Sequence, residues 1–270
     1  MKKVFLLVCV LMIIESVHAQ FNLPAWRGKK CAVVLTYDDA LNVHLDHAIP
    51  LLDSLGLKAT FYLTINSPGF KNRMADWREA AQRGYELGNH TLFHPCLGST
   101  SGRTWVKPEY DMNNYSIKRM TDEIKLTNVI LESIDGQKKR TFAYTCGDMK
   151  VSDGSFVNDI KNDFVAARAV RHEMHTIGEI DLMNTDCYAF NGERGEQMIE
   201  IVKKAMESNS LLVLLFHGVG GEHNINVSLE AHRQLLQYLK ANEKDIMIAS
   251  MIETAEHIKE WQRQNNIRKD

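Results

Sequence analysis

Two aspartates in succession, Asp38 and Asp39, end the apolar run CAVVLTY. His90 and His94 stand four apart between Gly88 and Pro95, and His217 closes the apolar run LLVLLF. Adjacent buried carboxylates repel one another and are costly to desolvate unless something cationic is nearby. Two neutral imidazoles and one carboxylate form a recognised divalent-cation set, usually for zinc, that leaves a position open for water or substrate. One aspartate can then bind the metal while its neighbour takes protons, and His217 supplies a further titratable group.

Such residues need a scaffold that gathers strand ends. CAVVLTY (31–37), KATFYLTI (58–65), YELGNH (85–90), RTFAYT (140–145), DFVAARAV (163–170), GEIDLMNT (178–185), LLVLLFH (211–217) and DIMIAS (245–250) read as strands. LDHAIPLLDSLG, MADWREAAQRG, residues 117–134, GEQMIEIVKKAMES, SLEAHRQLLQYLKAN and IETAEHIKEWQRQ carry helical spacing between them. The alternation predicts an α/β fold, a distorted (β/α) barrel of seven or eight parallel strands in a single domain. An open doubly wound sheet is the competing arrangement. In a barrel the C-terminal strand ends share one face, where the aspartates, the three histidines and YTCGD (144–148) would meet.

The first nineteen residues combine a basic start, an apolar core and small residues before Gln20. This pattern predicts a signal peptide cleaved near Ala19/Gln20 and a secreted or periplasmic protein. No later stretch is long enough to span a bilayer, so no membrane anchor is expected. Loss of Lys2, Lys3 and Glu15 takes the formal charge from −2 to −3, a near-neutral mixture that argues against nucleic acid as a partner. Cys31, Cys96, Cys146 and Cys187 remain after cleavage.

TYDDA resembles the first motif, T-F-D-D-G, of the polysaccharide deacetylase family (carbohydrate esterase family 4, the NodB-homology domain). HTLFHP (90–95) is similar to its second motif, H-[ST]-x-x-H-P, at every fixed position, and Leu215-Phe216-His217 to its late L-x-H motif. The resemblance implies a catalytic domain over residues 20–270 that hydrolyses N- or O-acetyl groups of a carbohydrate. It implies Asp39, His90 and His94 as ligands of a divalent metal, most often zinc. Asp38 would be the general base, His217 the general acid, and the backbone N–H of Cys146 the oxyanion donor.

The sequence departs from the family in its third motif, where FAYTCGD (142–148) replaces a run such as R-P-P-Y-G. Ala143 stands where an arginine would clamp the base, so Arg168, at the next strand end, is the candidate to reach Asp38. Of Asp181 and Asp186, Asp186 is the candidate to orient His217, because it lies just beyond its strand. Ala40 replaces the usual glycine of the first motif. Cys31 begins its strand, whereas Cys96, Cys146 and Cys187 fall near strand C-terminal ends; a Cys96–Cys146 disulfide would join the second and third motifs.

Trp105, Tyr110 and Tyr115 lie in a polar, turn-rich stretch that could stack on sugar rings, and Trp105 and Tyr144 are the candidate substrate contacts. His44 and His47 read as solvated or capping, RHEMH (171–175) as a polar loop, and GVGGEHN as the loop beside the acid. A hydrolase of another C–N bond and a non-catalytic glycan-binding protein are the alternative functions.

Overall fold

The computed structural model describes residues 23–267; the signal-peptide segment lies outside them. In chain order the barrel strands are β1 (Cys31–Asp38), β2 (Thr60–Leu63), β3 (Glu86–Asn89), β4 (Thr141–Ala143), β5 (Ala166–Arg168), β6 (His175–Thr176), β7 (Tyr188–Ala189), β8 (Ser210–Phe216) and β9 (Ile246–Ile248). The unbroken apolar character of β1 and β8 has its cause here. Both are buried at every position, as parallel strands covered on both faces must be.

These two strands form the spine, paired in parallel from Ala32↔Leu211 to Tyr37↔Phe216. From β1 the sheet continues in parallel through β2, β3, β4 and β5. On the opposite side β8 pairs in parallel with β7 and antiparallel with β6, while β9 pairs with the first half of β1. One segment joins the two ends of this sheet. Thr185 bridges Arg168 of β5, and three residues later Tyr188 pairs with Leu214 of β8. The result is a distorted barrel of eight parallel strands and one antiparallel strand among the described residues.

The principal helices are α1 (Ile49–Leu55), α2 (Met74–Gln82), α3 (Ile117–Asp135), α4 (Gly195–Glu207), α5 (Leu229–Ala241) and α6 (Met251–Gln264). Ser116, Ser228 and Ser250 cap α3, α5 and α6 by accepting a backbone N–H three residues on. Gly56 and Gly136 end α1 and α3 in the left-handed conformation. No helix among the described residues is long and apolar enough to cross a membrane.

Two expected elements differ. Residues 178–185 form turns rather than a strand. Asp181 accepts the Met183 N–H at 2.8 Å and its carbonyl accepts the Thr185 hydroxyl, a local alternative to strand pairing. The first helix also begins earlier, as a π-helical turn over His44–Ala48.

Candidate active site

The strand ends converge through strained backbone. Ten described non-glycine residues have positive φ, and six of them flank the candidate site: Asp39, Ala40, Thr91, His94, Cys146 and Glu222. Such conformations cost about 1–3 kcal/mol each and persist where the surrounding structure over-determines them. Ala40, at φ 55, bears this cost where a glycine would bear little.

The two histidines of the second motif meet through a side-chain-braced turn, without a helix. Asn89 Oδ1 accepts the Thr91 N–H at 2.8 Å, and Thr91 Oγ1 accepts the His94 N–H at 2.9 Å. Asn89 is itself tied to Ile124 and Asn128 of α3. Gly88 permits close packing here, since a Cβ on it would lie 2.4 Å from the Tyr62 ring.

Asp39 sits at the centre. Its Oδ1 lies 3.5 Å from His90 Nε2 and 3.4 Å from His94 Nε2, and its Oδ2 lies 3.9 Å from His217 Nε2. Burial alone would raise its pKa, but His94, His90, His217 and His223 overturn that and hold it at about 2. Oδ1 is buried without a hydrogen-bond partner. His90 is also prepared to bind a cation. Its Nδ1 contacts the Ala143 carbonyl at 2.9 Å, and because a carbonyl can only accept, the proton resides on Nδ1 and Nε2 keeps its lone pair. Burial lowers the His90 pKa to about 4 despite Asp38, which keeps the ring neutral near pH 7. An orphaned carboxylate oxygen and a neutral Nε2, with ligand atoms of Asp39, His90 and His94 mutually within 4.8 Å, fit a divalent cation.

Asp38 is buried and held differently. Arg168 Nη2 donates to its Oδ2 at 2.5 Å, and the guanidinium also lies 5.2 Å over the Tyr62 ring. Arg168 is wholly buried, and although burial opposes its charge, the Asp38 carboxylate outweighs this and raises its pKa. Asp38 Oδ1 has no hydrogen-bond partner. The disulfide Cys96–Cys146 ties the loop after His94 to the loop after β4, so neither sulfur is a thiolate ligand. Cys31 and Cys187 are free and buried.

His217 belongs to a loop anchored from α1's side. His44 Nε2–H donates to the His217 carbonyl at 2.7 Å, and His47 Nδ1–H to the Val219 carbonyl at 2.8 Å. Glu222 accepts from Val43 N–H and Asn42. His44 and His47 are therefore braces for the His217 loop rather than solvated or capping residues. His223 also enters the site. Its ring stacks on His217 at 4.8 Å and 16°, and its Nε2 lies 4.0 Å from Asp39 Oδ2. The glycine-rich stretch after His217 pointed to a loop there, but nothing in it singled out this ring. A cleft of about 510 Å³ opens over Asp39, His94 and His223 and includes Trp105, which is 58% exposed.

Two expected residues lie elsewhere. Asp186 does not touch His217. Its carboxylate accepts from Arg171 at 3.1 Å on each oxygen and contacts His175 at 2.9 Å, in a separate cavity. Asp181 is spent on its own turn, and His217 Nδ1 is buried without a partner. Tyr144 is wholly buried among Phe142 and Phe156, and its hydroxyl donates to the Met183 carbonyl, so its side chain serves the core rather than a substrate. Tyr110 stacks on Phe93 and Tyr115 is buried under Arg119, which leaves Trp105 as the cleft-facing aromatic of that loop.

The fold is that of carbohydrate esterase family 4. A family 4 acetyl xylan esterase from Clostridium thermocellum, solved with cobalt, superposes with a TM-score of 0.54 at 17% identity, over 88% of this chain and 93% of that one. A family 4 pseudoenzyme from Bacillus anthracis gives 0.53 at 17% identity, over 84% and 66%. The sequence profile of the family described as polysaccharide deacetylase matches residues 27–162, and the chain belongs to that family. Among curated relatives, a gellan lyase from a Bacillus species is 23% identical over 210 residues, which is 77% of this chain but 7% of that protein. The uncharacterised protein YlxY of Bacillus subtilis is 28% identical over 40% of this chain and 29% of its own length.

Proposed function

We propose that the protein is a secreted, metal-dependent hydrolase that removes N- or O-linked acetyl groups from a carbohydrate. The observation that carries this is the adjacency of two differently treated aspartates. Asp39 faces four imidazoles and has a buried oxygen without a hydrogen-bond partner, while Asp38 is held by a buried arginine. Asp39, His90 and His94 would hold the cation, with zinc the leading candidate for this ligand set. Once bound it supplies Lewis acidity to the acyl carbonyl and acidifies water.

The chain's own groups do the rest. Asp38, fixed by Arg168, accepts the proton of the attacking water. His217 Nε2 gives a proton to the departing nitrogen or oxygen of the sugar. Burial lowers the His217 pKa, and the Asp38 and Asp39 carboxylates oppose that shift. The Cys146 N–H, on a loop pinned by the disulfide, is the assigned oxyanion donor. Trp105 offers an apolar face to a sugar ring at the cleft's rim.

A non-catalytic glycan-binding role is the second reading. It is favoured by Ala143 in place of the family's arginine and by the pseudoenzyme that shares this fold. Acetate release from a panel of N- and O-acetylated saccharides decides between them. Zinc-loaded protein is expected to release acetate, and chelator-treated protein and Asp38→Asn are not. Saccharide binding without release by intact, zinc-loaded protein would establish the second reading.

A further inference from the structure

His217 lacks the partner that usually orients a catalytic imidazole. Its Nδ1 is buried with nothing to bond, and the two candidate aspartates, Asp181 and Asp186, are engaged elsewhere. Only its Nε2 side faces the aspartates. A ring held by one edge can rotate about χ2, and misplacement by about 1 Å is enough to cost a reaction on the order of 100-fold.

One flat surface restrains it. The His223 ring lies parallel to His217, with centroids 4.8 Å apart and 16° between planes. His223 is itself fixed by the backbone. Its Nδ1 lies 3.0 Å from the Ile225 N–H and 3.2 Å from the Ile225 carbonyl, so the backbone of one residue holds that edge of the ring in either tautomer. The base of the loop is closed by a short strand pair, Gly218–Val219 with Asn226–Val227, and by Gly221 N–H donating to Asn226 Oδ1 at 2.8 Å. Rotation of His223 breaks the Ile225 bond, so the ring is a platform whose plane the chain sets.

We propose that His223 is the positioning residue for His217, and that ring stacking does here what a carboxylate on Nδ1 would do. The inference rests on the deacetylase reading for its consequence, though not for its geometry. A platform acts through its face and needs no N–H, which separates it from a ligand or a donor to substrate.

Three variants test it: His223→Ala removes the platform, His223→Phe keeps a flat ring without nitrogens, and His223→Gln keeps an N–H without a ring. In Phe the Ile225 N–H passes to water, since the His223 side chain is 33% exposed. In acetate release His223→Ala and His223→Gln are expected to lose kcat on the order of ten-fold or more with KM little changed, while His223→Phe keeps most of it. Zinc affinity, read by titration calorimetry, is expected to stay the same in all three. Equal losses in Ala and Phe with Gln retained would overturn the proposal in favour of a donor, and a fall in zinc affinity would overturn it in favour of a ligand. If the wild type releases no acetate, the deacetylase reading has failed but the platform can still be read by NMR. The His217 ring protons should shift and broaden in His223→Ala but stay sharp in His223→Phe; unchanged His217 signals in Ala would sink the proposal.

Discussion

Among the described residues two carboxylate–imidazole clusters of three residues each occur, and only one has a buried carboxylate oxygen left without a partner. Asp39, His90 and His94 bring their ligand atoms within 4.8 Å, and so do Glu173, His175 and Asp186. In the second cluster the carboxylate is already satisfied, with Arg171 across both oxygens of Asp186 and His175 at 2.9 Å. In the first, Asp39 has a buried oxygen with no partner and the nearby guanidinium is committed to Asp38. Burying an anion without compensation is expensive, and a cation in the first cluster would supply that compensation. Residue type does not separate the two. Unfilled hydrogen-bonding capacity does.

The largest effect expected from this contrast is on turnover. Asp38→Asn keeps the shape of the base and removes its ability to take a proton, so kcat in acetate release should fall on the order of 10²–10⁴-fold. Zinc affinity should be nearly unchanged, because Asp38 is not among the three grouped ligand residues. The matching substitution in the other cluster, Asp186→Asn, should leave kcat within a few-fold. Equal losses in both would erase the distinction drawn between them.

The two arginines sharpen the comparison through stability. Arg168 is wholly buried against a buried carboxylate, whereas the Arg171 side chain is 60% exposed. Arg168→Ala leaves Asp38 buried and unpaired, a change worth roughly 3–5 kcal/mol in urea unfolding. Arg171→Ala should cost far less, since solvent screens the guanidinium and His175 still contacts Asp186. A loss at Arg168 no greater than at Arg171 would mean that Asp38 is satisfied by other means.

Much of this was legible in the sequence because the motifs are local. An apolar run long enough to be a buried strand fixes where its end falls, and Asp38, Asp39 and His217 sit at those ends. The HTLFHP turn carries its own bracing in Asn89 and Thr91, so its two imidazoles could be paired from spacing. Where the sequence failed, the answer depended on partners far along the chain. Asp186 lies near a strand, but Arg171 and His175 decide its role. Tyr144 follows β4 directly, and only its packing against Phe156 shows that it turns inward. His44 and His47 earned their bracing role from a loop more than 170 residues away.

Protons give a smaller, more diffuse test beneath the site. Burial holds His232 at about 3 and His44 at about 4, and both are neutral in the fold, His232 against the Tyr37 hydroxyl and His44 against the His217 carbonyl. An unfolded histidine titrates near 6.5. Below that pH the unfolded chain binds more protons than the folded one, so stability falls as pH drops from about 6.5 towards 3. The cation-free protein should therefore lose several kcal/mol of unfolding free energy across that window, read as urea midpoints at a series of pH values. Replacing His232 with Gln should flatten the slope. An unchanged slope would mean that His232 is already solvated in the fold.

The smallest expected effect is the most discriminating. If unfilled capacity is what makes a metal site, Asp186→Asn should not alter zinc binding at all, although Asp186 belongs to a group with apt chemistry. His94→Ala removes one of the facing imidazoles and should weaken zinc at least on the order of 100-fold, more than loss of an outer-sphere partner does. Calorimetric titration of the wild type should give one tight site, retained in Asp186→Asn and lost in His94→Ala. A second tight site that disappears in Asp186→Asn would show that zinc can displace Arg171, an arginine bound through two 3.1 Å contacts and largely open to solvent. Satisfaction in the folded chain would then be a poor guide to where metals bind. A single site points the other way: Arg171 occupies the place of the cation, and the barrel keeps one cluster open by committing its buried arginine to Asp38.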